Sequence, residues 1–214
     1  KPSKEIINLS IKNTQFLLNQ NCKMIVVACN TATTNAISIL RKKFSVPFIG
    51  IEPAIKPAAL NTKSGIIGIL ATRGTLSSKL FHHTAQIYGG NIKVIEKNGD
   101  GIVKLIEEGH LESEELFELV KSYIKPMIDE GVDQLVLGCT HYSFLIPMLS
   151  EIIPGEVSIV DPGQAVARQT SNILYKYGLK NPSINGGRVE LFSNSNPDLL
   201  KELSGFKDAK YLSF

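Results

Sequence analysis

Short apolar runs recur along the chain at 24–28, 48–51, 65–70, 91–96, 134–137, 157–160 and 189–192, bordered by glycine, proline or polar residues. Runs of that length with such borders read as strands buried on both faces. Between them, apolar residues recur at helical spacing. The segment 3–19 gathers Ile6, Ile7, Ile11, Leu17 and Leu18 on one side with Ser3 as N-cap, and 31–44 turns Ile37, Ile39 and Leu40 inward. Further helices are expected from Ser77-Ser78 onward, over 102–108, and over 112–130 with an interruption at Pro126 and a stop at Gly131. The pattern continues with helices at 144–153 and 165–177, and polar turns fall at 71–75, 99–101 and 161–163. Strand alternating with helix throughout predicts an α/β fold with largely parallel sheets.

Two of these units echo each other. Ile25-Val26-Val27-Ala28-Cys29-Asn30-Thr31-Ala32 and Leu135-Val136-Leu137-Gly138-Cys139-Thr140-His141-Tyr142 each run from an apolar strand through a small residue to a cysteine, then to residues that can cap a helix. Ligands bind at the carboxyl ends of strands in open α/β sheets. A thiolate placed there is stabilised by the free N–H groups of the following helix. Free cysteine is also a common core residue, so either thiol alone is as well explained by packing. The repeated context is what points to function. Two thiols facing one pocket suit inversion at a carbon acid, which needs a base on one face and an acid on the other. A thiol pKa near neutrality makes both forms accessible.

Composition narrows the classes. The chain has 214 residues, 43% of them hydrophobic, and a net charge of +3, enough for one large core or two modest ones. Arg41-Lys42-Lys43 reads as the solvated end of a helix rather than a nucleic-acid patch. No apolar segment approaches the roughly 20 residues of a membrane span, and no signal-like stretch opens the sequence. Three cysteines, without disulfide spacing, fit a reducing cytoplasm. No nicotinamide fingerprint or P-loop is present.

Other polar residues carry two readings each. His141 is a functional partner of Cys139 or a capping histidine. A zinc site of Cys29, Cys139 and His141 lacks the close ligand pair such sites use. Thr72 and Thr75, flanking Gly74, could hold a carboxylate or simply cap a turn; Asn30, Thr31 and Thr140 have the same ambiguity. Glu107 and Glu108 read as solvent-exposed, His82-His83 as a solvated helix face, His110 as a loop residue and Cys22 as an incidental thiol.

At these residues the chain resembles the glutamate racemases, cofactor-independent enzymes that supply D-glutamate for peptidoglycan. The resemblance rests on Ala28-Cys29-Asn30-Thr31-Ala32 and Gly138-Cys139-Thr140-His141-Tyr142, with support from 65–72, Gly74-Thr75, 105–109 and Asp161-Pro162-Gly163. It implies that Cys29 and Cys139 are the catalytic acid/base pair, the first acting on D-glutamate and the second on L-glutamate. It implies substrate binding by Asn30, Thr31, Thr140 and His141, supported by Thr72 and Thr75, with Glu107 and His141 assisting Cys139. The implied fold is two pseudo-symmetric α/β domains, 1–53 with 161–214 and 54–160, with the site in the cleft between them. Small-molecule glutamate is the implied partner, with no metal, cofactor, nucleic acid or membrane, and a homodimer is left open. The family's opening strand with its Asp-Ser-Gly motif, and a later Pro-Tyr-Gly, have no counterpart here, so an N-terminal segment is expected to be missing. Related two-thiol racemases of aspartate or hydantoins, and a non-catalytic binder of small acids, are the alternatives.

Overall fold

The computed structural model describes residues 1–88, 90, 92–183 and 186–213. In chain order the elements are α1 (Ser3–Asn19), β1 (Ile25–Val27), α2 (Asn30–Lys43), β2 (Phe48–Gly50), α3 (Ile55–Asn61), β3 (Ile66–Ala71), α4 (Arg73–Leu76), α5 (Lys79–Tyr88), β4 (Lys93–Asn98), α6 (Ile102–Glu107) and α7 (Glu114–Asp129). Then come β5 (Gln134–Gly138), a 3-10 turn over Thr140–Leu145, α8 (Ile146–Ile152), β6 (Ser158–Val160), α9 (Gly163–Lys176), β7 (Leu191–Ser193), α10 (Pro197–Ser204) and β8 (Ala209–Tyr211). The fold is α/β, and the paired strands are parallel: β1 with β2, a four-stranded sheet in the order β4-β3-β5-β6, and β7 with β8.

The four-stranded sheet is covered on both faces, which is why its central strands are apolar without alternation. Leu70, Leu135 and Leu137 face Ile102 and Ile106 of α6 and Leu116, Val120 and Ile124 of α7. On the opposite face Ile67, Ile69 and Val136 meet Ile55 and Ala58 of α3 and Phe81 of α5. Gly68 lets α7 come close, since a Cβ there would lie 2.7 Å from the Met127 methyl. A third core joins Ile25 and Phe48 to Ala36, Ile37 and Leu40 of α2, with Ile7, Ile11, Leu17 and Leu18 of α1 packed on it.

Several local expectations are corrected. Ser3 is the first helical residue and Pro2 occupies the N-cap without a side-chain bond. Ile39 is 38% exposed, because it lies two residues, about 200° of helix, from Ile37. Pro126 does not interrupt α7: it sits on the exposed face one turn from the end, where the carbonyl it leaves unbonded can meet water. The helix after β5 begins as a 3-10 turn. The strand expected over 91–96 runs over Lys93–Asn98, and Asn91 lies outside the described residues. Among the described residues no helix is long and apolar enough to cross a membrane.

Candidate active site

Strand register brings the candidate residues to one edge. Ala71 of β3 is level with Asn98 of β4 and Gly138 of β5. The residues that follow, Thr72, Gly99 and Cys139, therefore leave the carboxyl ends of three neighbouring strands side by side. Thr31, on the first turn of α2, donates or accepts hydrogen bonds with Thr72 Oγ1 at 2.8 Å and Thr75 Oγ1 at 3.1 Å. Thr72 and Thr75 are themselves 3.2 Å apart, closing a triangle of hydroxyls. Gly74 permits this approach, since a Cβ there would lie 2.7 Å from the Thr31 methyl. The triangle ties the helix that Cys29 caps to the strand edge that carries Cys139.

Cys29 is exposed and is the N-cap of α2. Its Sγ accepts the Ala32 N–H at 3.5 Å, so the helix end faces the sulfur. Beside it Asn30 is 2% exposed, and neither its amide nitrogen nor its amide oxygen has a partner among the described residues. A buried unpaired amide costs about 1–3 kcal/mol. Such an unpaired amide in the first turn of α2, beside Cys29, is an exception among buried polar groups.

Cys139 is buried. Burial pushes its thiol up to about 11; the backbone N–H groups of His141 and Tyr142 act in the opposite direction, while the charges of Cys29 and Glu107 raise it further. His141 Nδ1 lies 3.8 Å from the Cys139 sulfur, and its Nε2 lies 3.0 Å from Glu107 Oε1. A carboxylate can only accept, so Nε2 donates to Glu107 and Nδ1 is the ring nitrogen that faces the thiol. A nucleophile or base backed by an oriented imidazole is the usual arrangement for activating a thiol.

Of the residues singled out from sequence, Cys139, His141 and Glu107 form one group, and Thr31, Thr72 and Thr75 another beside Cys29 and Asn30. Thr140 is half-buried at the head of the turn. His82, His83 and His110 are exposed. Cys22 is half-buried near Val46 and Tyr177, away from the strand edge. Three features escaped the sequence. Arg73 and Asp100 pair at 2.8 Å at the same edge. Ser143 donates to Asp161, whose other oxygen accepts the Gly163 N–H at 2.7 Å. The Tyr142 hydroxyl donates to the Gly99 carbonyl at 3.1 Å. The adjacency of His141 and Tyr142 to Cys139 was the only signal for the last. A groove of about 620 Å³ between the start of α7 and α8, lined by Leu111, Phe117, Phe144 and Met148, includes neither thiol. Among the described residues no three His, Cys, Asp or Glu side chains are grouped so as to hold a metal ion.

The sequence matches the Asp/Glu/Hydantoin racemase family over residues 10–170. The chain belongs to that family. It is 42% identical over 193 residues to the glutamate racemase of Herpetosiphon aurantiacus, covering 90% of this chain and 76% of the relative. It is 42% identical over 180 residues to that of Ralstonia pickettii, covering 84% of this chain and 64% of the relative. The fold superposes with a TM-score of 0.84 at 28% identity on Escherichia coli glutamate racemase, solved with L-glutamate and the activator UDP-MurNAc-ala, over 100% of this chain and 83% of that one. Glutamate racemase isoform RacE1 of Bacillus anthracis matches in fold with a TM-score of 0.85 at 24% identity, over 100% of this chain and 82% of that one. The chain thus spans from about two thirds to four fifths of these relatives' lengths.

Proposed function

We propose that this protein interconverts L- and D-glutamate by proton transfer between two thiols. The observation that carries the reading is the convergence of two Cys-tipped strands on one edge through the Thr31–Thr72–Thr75 triangle and the β3–β5 register. One sulfur, as thiolate, takes the α-proton from one face of the substrate and becomes a thiol. The other, as thiol, delivers its proton to the opposite face of the resulting carbanion-like centre and becomes a thiolate. The bond broken is the α-C–H bond on one face and the bond formed is its mirror image, so no electron leaves the system and the two thiols suffice.

Burial favours the protonated thiol of Cys139, whereas Cys29 is exposed at a helix N-terminus and accepts a backbone N–H on its sulfur, so the two thiols start from unlike surroundings. The helix end, the hydroxyl triangle and the Asn30 amide are suited to carboxylate and amine groups. Thr140 and His141 supply further contacts, and Glu107 orients His141. Glutamate is chosen over aspartate and hydantoins because the curated relatives at 42% identity are glutamate racemases. The reading carries with it supply of D-glutamate for peptidoglycan, a cytoplasmic location, and two units over 1–53 with 161–214 and 54–160. A homodimer is an open extension that sedimentation would settle.

The test is α-deuteration in deuterated water with L- and D-glutamate, L-aspartate and a hydantoin offered separately to the full-length protein. Exchange and inversion of both glutamate enantiomers are expected. Exchange with aspartate or the hydantoin in preference to glutamate overturns the substrate, and glutamate binding without exchange overturns the activity.

A further inference from the structure

The contact between Glu107 and His141 is the least self-sufficient part of the Cys139 site. The Glu107 side chain is 59% exposed and that of His141 31%, and a polar contact open to solvent holds a geometry weakly. Something buried must set their separation. Glu107 is the last residue of α6, a helix of only six residues. Its launch point is the turn Gly99-Asp100-Gly101, where Gly101 takes φ of +86° and caps the helix, and the Gly99 carbonyl accepts the Ile102 N–H at 3.3 Å. The same carbonyl accepts the Tyr142 hydroxyl at 3.1 Å. Tyr142 is fully buried, and its backbone N–H donates to the Cys139 carbonyl at 3.0 Å.

These contacts close a ring. It runs from Tyr142 to Gly99, along α6 to Glu107, across to His141, and back along the backbone to Tyr142. The fit at its buried end is tight: a Cβ on Gly99 would lie 2.3 Å from the Tyr142 hydroxyl oxygen and 2.9 Å from the ring carbon that bears it. Burial also pushes the Tyr142 phenol far above its ordinary range, so the hydroxyl is a permanent donor. Tyr123 holds the same turn from α7 by donating to the Asp100 carbonyl at 2.9 Å. Tyr142 belongs both to this anchor and to the turn that follows Cys139.

We propose that Tyr142 is a positioning residue for the Cys139 half-reaction, setting through Gly99 and α6 the reach of Glu107 to His141. The proposal rests on the two-thiol racemase reading. It makes no claim on Cys29, whose helix is seated by other contacts.

The test uses the full-length protein with initial rates from both enantiomers across pH. Tyr142→Phe keeps the ring and its packing and removes only the hydroxyl. The expected result is a kcat lower by about 10-fold in the direction where Cys139 removes the proton, less than the roughly 100-fold that a 1 Å misplacement can cost. In the other direction kcat should change by less than about threefold, far below that cost. Because the equilibrium constant is fixed near one, kcat/KM must fall equally in both directions and the asymmetry must appear in KM. The limb of the kcat profile that reports Cys139 should shift. A merely structural role would lower both kcat values together and leave the pH profile in place, and that result overturns the proposal. Gly99→Ala supplies the second arm: it should give the same directional defect, and adding Tyr142→Phe should partly restore activity because the clashing oxygen is gone. Additive losses in the double variant also overturn it. A wild-type protein that fails to exchange the α-proton of glutamate would instead sink the parent reading, and this proposal with it.

Discussion

Cys29 and Cys139 stand at the ends of two strand–helix units that look alike in sequence, yet their surroundings differ in almost every physical respect. Cys29 is exposed, caps a 14-residue helix, and takes one backbone N–H on its sulfur. Cys139 is buried, leads into a 3-10 turn, and has an imidazole 3.8 Å away that is itself held by a carboxylate. The first environment offers the sulfur solvent and a helix N-terminus. The second penalises a thiolate, and the His141–Glu107 pair offers the proton a place to go. A two-base reaction needs its two groups in opposite protonation states at any instant. Unequal environments meet that need more directly than two identical ones would.

The largest test of the comparison removes either partner. Cys29→Ala and Cys139→Ala should each reduce racemisation by at least about 1,000-fold, within the range that a positioned acid or base contributes. Cys22→Ala should remain near wild type by optical rotation assay. Retained inversion in either single variant, or loss in the Cys22 variant with folding intact, would break the assignment of two unequal but jointly required thiols.

Next in size is the directional effect of the imidazole. With Nδ1 facing the thiol, His141→Asn should lower kcat from L-glutamate by about 10- to 100-fold, the scale of losing one assisting proton carrier. The effect from D-glutamate should be smaller, with KM compensating so that kcat/KM still obeys the common equilibrium constant. Equal losses of kcat in both directions would instead assign His141 to substrate binding shared by both halves.

How much of this asymmetry could be read from the chain follows from how local each cause is. The buried strands β3 and β5 are legible because their apolar runs and flanking small residues sit within a few positions. The place of Cys29 at a helix N-terminus is equally local, although the cap is Cys29 itself and not the residue after it that the sequence leads one to expect. By contrast, α3 carries Pro57 in its first turn, where proline is tolerated, and no helix is expected there from the sequence. The strand β8 is short and largely exposed, so burial imposes no pattern on it. The partners that make Cys139 different come from far along the chain. Glu107 lies in an apolar helical setting but faces outward, so its residues read as solvated until the fold brings His141 to it. The hydroxyl triangle and the Ser143–Asp161 bond likewise join elements that no periodicity relates.

The unequal environments should also appear in stability. The Cys139 thiol is pushed from 9.0 to about 11 in the folded chain, so between those values the folded state holds a proton that the unfolded state has lost. The sign follows: the contribution is fully present below about pH 9 and is lost as pH rises towards 11. At 1.36 kcal/mol per pK unit the loss reaches roughly 2–3 kcal/mol. Lysines and tyrosines titrate in the same window, so the comparison is with Cys139→Ala, whose denaturant midpoint should fall less steeply across it. Parallel curves for the two proteins would mean that Cys139 does not pay the burial cost on which the contrast with Cys29 rests.

The smallest expected effect concerns how the Cys139 turn is held. On the Cys29 side, α2 is a regular helix seated by buried Thr33, whose hydroxyl donates to the Val27 carbonyl at 3.0 Å and accepts the Ile51 N–H at 3.2 Å. The 3-10 turn after Cys139 lacks the i to i+4 ladder of such a helix and is tied at Ser143 to Asp161. That carboxylate also caps the first residue of α9 through Gly163 at 2.7 Å, so the turn is fastened to the chain's return from the four-stranded sheet. Ser143→Ala removes one charge-assisted bond at a half-buried site while leaving Asp161 its backbone partner. The cost should be about 1 kcal/mol in unfolding free energy, below the 1.5–3 kcal/mol of a fully buried bond to a charge. Racemisation should fall by less than about threefold, with the change in KM, because the bond shapes the turn without touching the proton path. An unchanged unfolding midpoint would show that the turn is seated by Tyr142 and Leu145 in the core alone. A large loss of kcat from L-glutamate would move Ser143 from the frame of the site into its chemistry.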